Sequence, residues 1–118
     1  MDKKKALSVL MPFQMGFLGS AALFVAAKLE VADHLVGGER PVEELAMALG
    51  VRTEMLYRIL RFLASQGIFE ERPGRRFKLN DAGQLMRTDV EQSYQPFAVA
   101  NTERGLNAAL ELLPAVGT

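Results

Sequence analysis

Apolar positions recur at helical spacing along most of this chain, and glycine, proline and short polar clusters mark the breaks between runs. The first run is the longest. No charged residue occurs between Lys5 and Lys28, a stretch of 22 residues from Ala6 to Ala27. One face of the predicted helix carries Phe13, Phe17, Ala21 and Phe24; another carries Leu18, Ala22, Val25 and Leu29, and the phase continues into Val31. A helix that is apolar on two faces must be covered on two sides. One cover is the rest of the domain, and the simplest second cover is another copy of the chain. The length also suits a signal peptide or a membrane span. Against that, Ser8, Pro12, Gln14, Gly16, Gly19 and Ser20 dilute the hydrophobicity.

The middle of the chain reads as short, well-punctuated elements. Gly37 to Arg40 is expected as a loop, and Pro41 suits the first turn of a helix. Val42, Leu45, Ala46 and Leu49 follow at i, i+3, i+4 and i+7, with Gly50 as the C-terminal cap. Thr53 is expected to cap the next helix. Its apolar stripe is Leu56, Ile59, Leu60 and Leu63, Gly67 closes it, and Glu54 and Arg58 are expected to pair on its outer face. Two short helices joined by Gly50 to Thr53 make a helix-turn-helix.

Ile68 to Arg72 and Arg76 to Leu79 predict a hairpin around Pro73-Gly74. Asn80 or Asp81 caps a further helical turn reaching Leu85 or Met86. A long helix from about Ser93 to Leu113, started or bent at Pro96, carries Phe97, Ala100, Leu106, Ala109, Leu110 and Leu113. The expected architecture is mainly α. It is a winged-helix-like domain, a helix-turn-helix plus a two-stranded β-hairpin, with long N- and C-terminal dimerisation helices. Dimer helices occupy 1–36, the winged-helix core 41–90 and a linking helix 91–118.

Composition narrows the chemistry. The 118 residues suit one domain, and 49% apolar with 24% charged residues is a globular mix. Fourteen basic and 14 acidic residues cancel, which disfavours a globally basic nucleic-acid binder. There is no cysteine, so disulfides, thiolate zinc sites and cysteine nucleophiles are excluded; with no convincing signal sequence this favours the cytoplasm. His34 is the only histidine. Asp33 and His34 are neighbours on a helix and do not face each other. Glu43-Glu44 and Glu70-Glu71 read as solvated surface charge, so no metal is expected. Gly37-Gly38 lacks the third glycine and the preceding strand of a dinucleotide loop.

A DNA reading starts from the helix-turn-helix. Arg52 to Arg87 contains eight basic and four acidic residues, net +4, with Arg75 and Arg76 on the wing. The N-terminal turn of the second helix, however, presents Glu54, Met55 and Tyr57, and Glu54 would repel phosphates. Nucleic acid is therefore a minor reading.

The segments AALFVAAKLEVADHLVGGERPVEELAMALGV, LYRILRFLASQGIFEE and FKLNDAGQLMRTDV shift the balance. From Ala21 to Asp89 the chain resembles the N-terminal domain of S-adenosylmethionine-dependent O-methyltransferases of the plant caffeate type, and their bacterial natural-product relatives most of all. The resemblance rests on an "A-A-x-L-x-V-A-D-x-L" element, an "E-L-A" helix, an "L-x-R-x-L-R-x-L-x-x-x-G" helix and an "L-N-D-A-G-x-L-M-R-T-D" segment in that order. It implies a winged-helix-like dimerisation domain that pairs subunits as a homodimer and lines the acceptor pocket. Phe17, Leu18, Ala21, Phe24 and Val25 would then lie in the dimer core, and Met11, Phe13, Phe97 and Asn101 would wall the pocket. Core packing is the alternative for Phe13 and Phe97. The glycine-rich S-adenosylmethionine loop and the histidine base of that family have no counterpart in these 118 residues, so no catalytic residue, cofactor or metal is assigned here. Two further readings stand beside this one. They are a stand-alone association protein that pairs with itself or with a full-length methyltransferase, and a winged-helix DNA-binding regulator.

Overall fold

The computed structural model describes residues 1–117. Helix α1 spans Lys3–Lys28, capped by Asp2, whose side chain accepts a hydrogen bond from the Lys5 amide at 3.1 Å. The helix does not continue through Leu29 to Val31 as the apolar phase suggests. Glu30 takes a left-handed backbone, φ 55°, and the chain restarts as a short 3₁₀ helix, Val31–Leu35. This break turns Val31, Ala32 and Leu35 into the core, all fully buried.

Strand β1, Arg40–Pro41, leads directly into α2, Val42–Leu49. Gly50 closes α2 in the left-handed region, φ 70°, with its amide on the Ala46 and Met47 carbonyls; a side chain is strained there. The Val51 amide also returns to Ala46, at 3.0 Å. This tight exit places the start of α3, Thr53–Ser65, one residue early: Arg52, in extended conformation, is the cap and Thr53 is already helical.

Strands β2, Glu70–Arg72, and β3, Arg76–Lys78, form the hairpin, as expected at the turn and shorter at the open end, where Ile68, Phe69 and Leu79 fall outside it. β1 adds to β3, so the sheet has three antiparallel strands in the order β1-β3-β2, with Arg40 opposite Phe77 and Glu71 opposite Phe77 from the other side. Asn80 caps α4, Asp81–Leu85, and α5 runs Gln95–Gly117 with Pro96 at its second position. Helices α1, α2 and α3 and the sheet enclose one core around Leu45, Leu56, Leu60, Leu63 and Phe77. The molecule is mainly helical with a small antiparallel sheet, a winged-helix-like fold.

Candidate association surface and groove

Three side chains of α1 bind it to the core. Ala22, Ala26 and Ala27 are buried, and their small size lets the helix lie close to the rest of the domain. α5 runs back along α1. At their joined end Gln95 donates its side-chain amide to the Ala27 carbonyl at 2.9 Å, and Lys28 lies 3.4 Å from Glu103. Both members of that ion pair are half exposed, so it orients more than it stabilises. Ala98 is the one buried residue of α5.

Further along, the helices leave a groove of about 400 Å³ between them. Phe17, Ser20, Ala21, Phe24 and Val25 line it from α1; Asn101, Thr102, Glu103, Gly105, Leu106 and Ala109 line it from α5. Of the side chains expected in a dimer core, four of five therefore converge here, and Leu18 stands outside the groove, half exposed. Of the expected pocket wall, only Asn101 joins them. Met11 and Phe13 lie farther out on α1, both more than half exposed, and Phe97 packs on Tyr94 with ring centroids 5.2 Å apart. Asn101 sits with the phenylalanines because α5 folds back on α1, which spacing along either helix does not reveal.

Beyond the groove neither helix covers the other. Leu10 is 62% exposed and Phe13 78%, while Leu110, Leu112, Leu113 and Val116 are all more than half exposed on α5. Clustered large apolar side chains of this kind mark an interaction surface. By length and composition α1 is also apolar enough to cross a membrane, with a mean hydropathy of 1.7.

The helix-turn-helix side is closed by its own charges. Arg75, in the wing turn at φ 57°, stacks over the Tyr57 ring at 4.0 Å and bonds Glu54 at 2.8 Å. Glu54 is thus held by the wing and not by Arg58. Both contacts favour the charged guanidinium: hydrogen bonding to Glu54 raises the Arg75 pKa further. The Tyr57 hydroxyl donates to Glu71 at 2.8 Å, which pushes the phenol above its ordinary range. Arg72, Arg76 and Lys78 are within 4 Å of Glu39 or Glu70.

Asp33 and His34 do separate work. The Asp33 carboxylate accepts from the Thr88 amide at 2.9 Å and hydroxyl at 2.7 Å, whereas His34 Nδ1 lies 3.2 Å from the Glu30 carbonyl. Among the described residues no group of three histidine or acidic side chains is placed to hold a metal. Nor do these residues fit S-adenosylmethionine: the sheet is antiparallel, and no strand leads through a glycine loop into a helix.

The family model of the O-methyltransferase dimerisation domain matches residues 11–89. The chain belongs to this family. A phenazine O-methyltransferase of Lysobacter antibioticus is 33% identical over 111 residues, covering 94% of this chain and 33% of that protein. The crystal structure of LaPhzM superposes with a TM-score of 0.84 at 35% identity, over 94% of this chain and 33% of that one. The neocarzinostatin-biosynthesis O-methyltransferase NcsB1, solved with S-adenosylmethionine and 2-hydroxy-5-methyl naphthoic acid, superposes at 0.72 with 32% identity, over 84% of this chain and 31% of that one. The chain thus spans about a third of the length of these relatives. Most of the exposed large apolar side chains of this chain lie on α1 and α5.

Proposed function

We propose that this domain pairs with a second copy of itself through the α1 and α5 faces, as the dimerisation part of an S-adenosylmethionine-dependent O-methyltransferase acting on small natural products. The observation that carries the reading is the joint exposure of large apolar side chains on the two helices around one groove. An apolar surface of this extent is stable in water only when covered, and the symmetric cover available to a single chain is its own copy. Methyl transfer and S-adenosylmethionine binding are assigned to polypeptide other than these elements; NcsB1, solved with that cofactor, is a chain about three times this length. The dimerisation domain contributes subunit pairing through Phe17, Leu18, Ala21, Phe24 and Val25 and, through Met11, Phe13, Phe97 and Asn101, a wall toward the acceptor.

Arginine substitution tests the pairing. Phe24→Arg, and separately Phe17→Arg, place a charge on the groove wall, and burying it unpaired in an interface costs several kcal/mol. Size-exclusion chromatography with light scattering is expected to show a dimer for the parent chain and a monomer for the Phe24→Arg variant, with amide-exchange protection of α2 and α3 unchanged. A variant that stays dimeric removes this face from the interface.

A further inference from the structure

Resting on the pairing just proposed, we infer that residues 3–18 of α1 become helical only against a second copy, so that ordering this segment and forming the dimer are one event. The segment has almost no support within its own chain. Every side chain from Lys3 to Leu18 is exposed except the half-buried Ala6, whereas helices in proteins owe most of their stability to packing of this kind.

Its intrinsic propensity is also poor. Pro12 sits inside the helix and removes one backbone hydrogen bond. Gly16 and Gly19 add backbone entropy, and a Cβ at either would meet nothing within 4 Å, so no contact inside the chain requires glycine there. Lys3, Lys4 and Lys5 occupy the first turn, where the helix dipole is already positive and no acidic side chain follows the Asp2 cap. Ser8 turns its hydroxyl onto the Lys5 carbonyl at 2.6 Å, a local bond that competes with the helix.

The occupant that supplies the missing support is a second copy. The family model of the dimerisation domain covers residues 11–89 and so includes half of this segment, and a twofold pairing gives each copy the same uncovered face to bury. The exposed segment is moreover continuous with the α1–α5 groove, so one partner surface can cover both.

The test follows amide hydrogen exchange of the full chain across a concentration series, with sedimentation reporting mass on the same samples. In the monomer, amides 7–18 are expected to exchange within about tenfold of an unstructured chain, and in the dimer about 100-fold more slowly, while α2 and α3 stay unchanged. Protection of 7–18 that is already full in the monomer, or in a monomeric Phe24→Arg variant, overturns the inference and leaves the pairing intact. A chain that is monomeric at every concentration overturns the pairing and the inference together. Protection gained on phosphatidylglycerol vesicles but not on self-association assigns the segment to a lipid surface and overturns it too.

Discussion

Asn80 holds more of the winged core together than any other polar side chain. Its Oδ1 accepts from the Phe69 amide at 3.1 Å and from the Gly83 amide at 2.9 Å, and its Nδ2 donates to the Gly67 carbonyl at 2.9 Å. These bonds pin Phe69 in a left-handed backbone, φ 66°, with its ring buried against Gly83. An Asn80→Ala variant leaves those amides without their acceptor and is expected to lose about 2 kcal/mol or more in urea unfolding. Gly83→Ala would place a Cβ 2.8 Å from Phe69 Cδ1 and 3.1 Å from Leu79 Cδ2, and overpacking of this kind is expected to cost about 1–3 kcal/mol in the same assay. The capping role of Asn80 was legible, because asparagine before a helix is a common start signal. The kink at Phe69 was not: a β-favouring residue in an apolar run reads as strand, and only the side chain of Asn80, 11 positions later, forces it out of one.

Charge adds one pH-sensitive site at this scale. Arg87 bonds Asp89 through two nitrogens, at 2.9 and 2.7 Å, and that contact holds the Asp89 carboxyl below its ordinary value. A depressed pKa in the folded state contributes stability above the unfolded value of about 3.9, and that contribution fades as pH falls through the folded value. A carboxyl-carbon NMR titration is expected to place the Asp89 midpoint below the unfolded-chain value, and an Arg87→Gln variant should raise it toward that value.

Among the elements, α3 and the wing form a closed pair. The Arg75 stack on Tyr57, its bond to Glu54 and the ion pairs of Arg72, Arg76 and Lys78 engage the wing's share of the positive charge between Arg52 and Arg87, while Arg52, Arg58 and Arg61 stay exposed. Fluorescence anisotropy with duplex DNA at low salt is accordingly expected to register no binding. Binding that weakens steeply with salt and disappears in Arg75→Glu/Arg76→Glu would contradict this reading. The net charge of the segment was countable from the sequence; its internal neutralisation was not, because Glu54 and Arg75 meet across 21 positions. β1 escaped for a different reason. Two residues, one of them proline, carry no strand period, and β1 exists only because β3 offers it an edge. The two apolar faces of α1, by contrast, were plain from spacing alone. Their convergence with Asn101 depends on α5 folding back along α1, a tertiary fact.

For the molecule as a whole, buried and unburied apolar surface are divided between two parts. The winged core buries Leu45, Leu56, Leu60 and Leu63, while α1 beyond Ala21 toward the N-terminus and α5 beyond Ala109 present most of their large apolar side chains to solvent. That division matches a domain whose family is defined by dimerisation and whose relatives are about three times as long. Sedimentation equilibrium of the chain tests it most directly. The account predicts a mass that rises with concentration to twice 13.0 kDa. A mass that stays at 13.0 kDa over the whole accessible range would contradict it.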